Sequence, residues 1–125
     1  MSTEAVANRL VELCRQGEYE QAQTELYADD AVSIEMEGMQ DGAMGNVQGL
    51  AAIREKGARW MANVVEIHGG SVSDPVVAGD WFSIAMMIDA TYKDRGRAPM
   101  AEICLYQVRA DKIVREQFFY GMPGA

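Results

Sequence analysis

Three side chains stand out as able to move a proton: Glu35, Glu102 and His68. Glu35 lies in the alternating stretch 31–36 (AVSIEM), which reads as a short strand with Val32, Ile34 and Met36 on one face and Ser33 and Glu35 on the other. A carboxylate in an apolar cavity has its pKa raised by desolvation and can shuttle protons near neutrality. The same alternation also describes a half-exposed strand whose polar residues meet solvent. Glu102 is a lone acid in the otherwise apolar run Met100-Ala101-Glu102-Ile103-Cys104-Leu105, so it faces either a pocket or an interface. His68 is the one residue that titrates near pH 7 unaided, and a bulge at Gly69-Gly70 could aim it inward; otherwise it is a surface histidine.

Which groups meet Glu102 depends on strand register. With Arg95-Gly96 as a two-residue turn, Glu102 pairs with Asp89 and the two acids share a face. Continuing through the Ala110-Asp111 turn adds Tyr106 and Gln117 to it. The opposite face then carries Ile84, Met86, Ile88, Ile103, Leu105, Phe118 and Tyr120. A one-residue change of register swaps the two sets.

The elements that must position these groups are legible from pattern. Thr3 can cap a first helix in which Val6, Leu10, Leu13 and Cys14 follow a 3.6-residue period, and Gly17 ends it. Tyr19, Ala22, Leu26 and Tyr27 mark a second helix; Leu50, Ile53, Gly57, Trp60 and Met61 mark a third. Between the short strand and the third helix, residues 37–46 (EGMQDGAMGN) form a long glycine-rich loop, either a pocket rim or a plain flexible connection. Strands follow at 64–68, 71–78 (with an edge or kink at Pro75), 81–92, 100–109 and 113–120, with turns at Gly79-Asp80, 94–97 and Ala110-Asp111. Helices first and a strand meander after predict an α+β fold with the helices on one face of the sheet.

Composition narrows the function classes. The 125 residues suit a single domain, 49% of them are hydrophobic, and such a chain buries a core without disulfides or metals. With 11 Lys and Arg against 19 Asp and Glu, the net charge of −8 supplies no basic face for nucleic acid. Cys14 and Cys104 read as buried thiols, and His68 has no metal-binding companion at useful spacing. No signal peptide and no membrane-spanning run is visible, so the expectation is a cytoplasmic protein without metal or organic cofactor.

The stretches LYADDA (26–31), GLAAIR (49–54), Gly79-Asp80 before a long strand, and DKIVREQFFY (111–120) together resemble the NTF2-like superfamily, in its SnoaL-like and ketosteroid-isomerase-like branch. The resemblance covers nearly the whole chain. It implies a cone, with three N-terminal helices packed on a strongly curved antiparallel sheet, that admits a small apolar molecule at its open end. It also implies a homodimer through the outer face of the sheet. Glu35 falls where similar isomerases place their catalytic base. The oxyanion donors of ketosteroid isomerases are matched only by Leu10 and Cys104, which cannot serve, although Glu102 could replace the acid. Tyr27, Trp60, Met86, Tyr106, Phe118 and Tyr120 are the candidate ligand-lining residues. An epoxide-hydrolase-like Asp-Arg-Asp arrangement finds only Asp89 and Arg115. Two readings follow: isomerase, cyclase or lyase chemistry by carboxylate proton transfer, or a non-catalytic binding or dimerising module of the same fold.

Overall fold

The computed structural model describes residues 1–121. Its elements run α1 (Thr3–Arg15), α2 (Tyr19–Leu26), β1 (Tyr27–Ile34), β2 (Val47–Gln48), α3 (Leu50–Asn63), β3 (Val64–Val72), β4 (Val76–Ala78), β5 (Trp81–Tyr92), β6 (Gly96–Arg109) and β7 (Lys112–Tyr120). The cap of α1 is Ser2 rather than Thr3: its Oγ accepts the Ala5 N–H at 3.0 Å. Gly17, at φ +73°, takes the left-handed conformation that ends the helix.

The apolar stripe of α1 (Val6, Leu10, Leu13) and Ala22 and Leu26 of α2 bury against one face of the sheet, where Phe82, Ile84 and Tyr106 meet them. Phe82 and Tyr106 stack with ring centroids 4.8 Å apart. The sheet order is β2-β1-β7-β6-β5-β3, with β4 added to β5. Neighbouring strands are antiparallel, with one exception: β1 runs parallel to β7, so the sheet is mixed and not purely antiparallel as expected. No hairpin joins this pair: the chain runs from β1 through β2, α3 and β3 to β6 before returning as β7, and so long a connection permits parallel pairing.

Register departs from expectation at two points. Tyr92 pairs with Gly96, leaving Lys93, Asp94 and Arg95 as the loop, so Glu102 lies opposite Met86 and Asp89 opposite Pro99. At the next hairpin, Ala110 and Asp111 form the expected two-residue turn, both at positive φ, 48° and 69°. A bulge at Val114 then adds one residue to β7, since Val108 pairs with Ile113 but Gln107 with Arg115. That single residue turns Glu116, Phe118 and Tyr120 to the helix-covered inner face and sends Gln117 outward. The inner face is therefore Phe82, Ile84 and Met86 of β5, Glu102, Cys104 and Tyr106 of β6, and Glu116, Phe118 and Tyr120 of β7.

Candidate functional site

Glu35, immediately after β1, is 6% exposed, and its Oε1 is 2.6 Å from the Lys56 ammonium of α3, itself 8% exposed. Lys56 also donates to the Ser33 hydroxyl at 3.2 Å, and its Nζ lies 5.7 Å from the centre of the Phe118 ring. Ser33 donates to Glu116 Oε2 at 2.7 Å, and the Tyr27 hydroxyl donates to Glu116 Oε1. On the other side of the ion pair, the Tyr120 hydroxyl donates to Glu35 Oε2 at 3.1 Å. Strand geometry assembles this cluster: Ser33 and Glu116 are direct partners in the parallel β1–β7 ladder, and Glu102 is the partner of Tyr120.

The loop after β1 holds Glu35 by its backbone. Asn46 Oδ1 accepts the Glu35 N–H at 2.7 Å, and Gln40 donates to the Glu35 carbonyl at 3.4 Å. Gly45 makes this turn feasible, because a Cβ there would clash with the Gln40 backbone carbonyl.

Glu102 is half-buried, and its thiol neighbour Cys104 donates to it at 3.6 Å. Burial, with the charges of Glu35 and Glu116 adding, pushes its carboxyl up to about 7, although the Cys104 thiol and Lys56 act the other way. Burial likewise raises the carboxyl of Glu116, against the stabilising bonds from Tyr27 and Ser33. Tyr120, half-exposed beside Glu102, is pushed up to about 12 by burial and the nearby Glu35 charge, so its hydroxyl stays protonated. The arrangement sets an ion-paired carboxylate, Glu35, bonded to Tyr120, and an acid that keeps its proton to higher pH, Glu102, opposite Tyr120 in the ladder.

The structure thus brings Glu35, Glu102, Tyr27, Phe118 and Tyr120 together on one face, with Met86 directly opposite Glu102. Tyr106 is on that face but sealed in the core against Phe82. Two candidates stand apart. His68 does sit at a bulge of β3, but it turns outward: its Nε2 is 2.7 Å from Thr91 Oγ1 and its Nδ1 3.6 Å from Glu66, on an exposed patch. Trp60 packs edge-on against Tyr92 at 6.1 Å, away from the acids. Asp89 bonds Arg97 at 2.7 Å on the outer face, where Arg115 also lies, so the expected Asp89–Glu102 and Asp89–Arg115 groupings do not form. Pattern reading missed Lys56, Glu116 and Ser33. Lys56 follows Ile53 by three residues and precedes Trp60 by four, which places it on the buried stripe of α3.

Among the described residues no group of three or more His, Cys, Asp or Glu is placed to hold a metal ion, and no helix is long and apolar enough to cross a membrane.

Residues 1–120 match the model of the SnoaL-like domain. The chain belongs to the SnoaL-like family. A Mesorhizobium loti protein, described both as a SnoaL-like polyketide cyclase and as a carbohydrate phosphatase, is 38% identical to this SnoaL-like chain. The match covers 96% of this chain and 100% of that one at a TM-score of 0.88. More distant likenesses show the fold alone. TerC, co-crystallised with polyporic acid, is 18% identical over 96% of this chain and 92% of its own, with a TM-score of 0.71. A Catenulispora acidiphila protein of ketosteroid-isomerase-like fold, in complex with trimethylamine, is 17% identical over 94% and 85%, with a TM-score of 0.70. No curated protein matched the chain.

Proposed function

We propose that this SnoaL-like protein binds a small, mostly apolar molecule at the open end of its cone and moves protons on it, in a reaction of isomerase, cyclase or lyase type. The observation that carries the reading is the pairing of two differently set carboxyls around Tyr120. Glu35 is held by the Lys56 ammonium at 2.6 Å, while Glu102, with no cation of its own, keeps its proton to about pH 7. Glu102 is the proton donor. Tyr120, bonded to Glu35, carries a proton from the ligand to that carboxylate, giving up its own as it takes one. Phe118 and Met86 supply apolar contact beside them. That two proteins of this fold were crystallised with a small molecule, polyporic acid in one and trimethylamine in the other, supports a small-molecule ligand.

A test needs no knowledge of the natural substrate. Neutral cyclic ketones and 1,3-diketones are incubated with the protein in D2O, and exchange of the protons next to the carbonyl is followed by NMR. The wild-type protein should accelerate exchange for part of the panel, and Glu102→Gln or Glu35→Gln should reduce that acceleration by about 100-fold or more. Probes that perturb the Tyr120 and Phe118 signals yet exchange no faster than in buffer would leave a binding module without catalysis.

The outer face of the sheet supports a second copy of the chain as partner. Trp81, Met87, Ile103 and Phe119 are exposed there at 37%, 57%, 48% and 41%. An open depression of about 410 Å³ includes the outer-face residues Met87 and Ala101, while a second, of about 450 Å³, also takes in Met86, Glu102 and Tyr120 of the inner face. The protein should sediment as a dimer, and Ile103→Lys should shift it towards monomer while the far-UV spectrum is retained. A wild-type monomer at all concentrations would remove the dimer from the account.

A further inference from the structure

We propose that Ser33 and Glu116 are positioning residues: the Glu116 charge, held in place by the Ser33 hydroxyl, helps keep the proton on Glu102, the carboxyl beside Tyr120 that Lys56 does not pair. The proposal rests on the acid–base reading of those two carboxyls.

The direction of the hydrogen bonds fixes the argument. Lys56 is a donor only, so the Ser33 oxygen must accept from it, and the single Ser33 proton is then free for Glu116. Tyr27 donates to the other oxygen of Glu116. Both oxygens of the buried Glu116 thus receive O–H bonds, the arrangement that suits an ionised carboxylate. One ammonium therefore serves two acids, Glu35 directly and Glu116 through Ser33. Two of its three N–H groups go to Glu35 and Ser33 and none reaches Glu102, whose hydrogen-bond partner among the described residues is the Cys104 thiol.

The groups that face Glu102 or act on it come from every element around it: Glu35 after β1, Lys56 from α3, Glu116 and Tyr120 from β7, Cys104 from β6 and Tyr19 from α2. Burial above all, with the charges of Glu35 and Glu116 adding to it, keeps the Glu102 carboxyl up at about 7. Removing the Ser33 bond takes away part of what opposes the burial of Glu116. That carboxyl then keeps a proton more readily, and Glu102 sees one negative charge fewer.

The experiment follows the carboxyl carbons of ¹³C-labelled glutamate by NMR across pH 4–9 in wild type, Ser33→Ala, Ser33→Thr and Glu116→Gln, with Glu102 assigned through Glu102→Gln. Ser33→Ala and Glu116→Gln should each lower the Glu102 midpoint by about one pH unit, and Ser33→Thr, which keeps the hydroxyl, should stay near wild type. An unchanged Glu102 midpoint in both Ser33→Ala and Glu116→Gln overturns the proposal, as does a shift in Ser33→Thr as large as in Ser33→Ala. If Ser33→Ala does not fold, the near-isosteric Glu116→Gln decides alone. The titration uses no substrate, so loss of the deuterium-exchange result and loss of this coupling are separate failures.

Discussion

Raising the pH from about 4.5 to about 8 should lower the unfolding free energy of the wild-type protein, and Glu102→Gln should remove most of that slope. The Glu102 carboxyl sits at about 7 in the folded chain against an ordinary 4.5, because it is buried beside two other acids. Between those values the native state holds a proton that the unfolded state has released, so stability falls as pH rises. Its contribution is complete below about 4.5 and lost once the pH passes about 7. At about 1.4 kcal/mol per pH unit, the gap from 4.5 to about 7 is worth on the order of 3 kcal/mol. Glu116, also raised by burial, works in the same direction. Urea denaturation at several pH values measures both curves. Glu102→Gln should be the more stable protein at pH 8 and the difference should close towards pH 5; parallel curves would show that Glu102 is solvated in the folded state.

Lys56→Met should cost about 3–5 kcal/mol at pH 8, the range for stripping one partner from a buried ion pair. The side chain is 8% exposed and is the cation for Glu35 directly and for Glu116 through Ser33, so its loss strands negative charge among Tyr27, Phe118 and Ser33. The double variant Lys56→Met with Glu35→Gln should recover a large part of the loss, because the stranded charge is removed with its partner. A double-mutant cycle in urea reads this as a coupling of about 2 kcal/mol or more. Strictly additive losses would mean that the pair contributes only separate packing.

Helices and turns were legible in the sequence because their signals are local. Gly17, the Gly79-Asp80 pair and the Ala110-Asp111 pair each announce a break within a few residues, and the structure has all three. The three helices and the strands at 81–92, 100–109 and 113–120 follow from periodicity for the same reason, whereas the strands expected at 64–68 and 71–78 divide instead around residues 73–75, as Val64–Val72 and Val76–Ala78. The site was less legible because it depends on register, which is not local. The loop 93–95 is one residue longer than a two-residue turn, and the pairing it sets puts Glu102 opposite Met86 instead of Asp89. The bulge at Val114 leaves no mark in KIVREQFFY, yet it alone brings Glu116 inward and sends Gln117 out.

Burial also inverts the usual polarity rule here. Ser33 and Glu35 alternate with Val32 and Ile34 as solvent-facing residues would, but they point into the cone and the aliphatic pair points away. A buried polar face is stable only when its charges are matched, and the match comes from Lys56, which shares the Ile53–Trp60 stripe of α3 but is of a residue type that rarely lies buried. That is the physical reason the partner was missed. His68 shows the converse: the bulge expected beside it is present, but it turns the ring outward to Thr91 and Glu66.

The titration of the Glu102 carboxyl carbon in the wild-type protein tests the account most directly. A midpoint near 7, well above the ordinary 4.5, means that Glu102 is buried without a cation to hold its charge and is left as the proton carrier, while Lys56 pairs Glu35. A midpoint near 4.5 would mean that Glu102 is ionised and solvated at neutrality, and the acid–base reading of the site would fall with it.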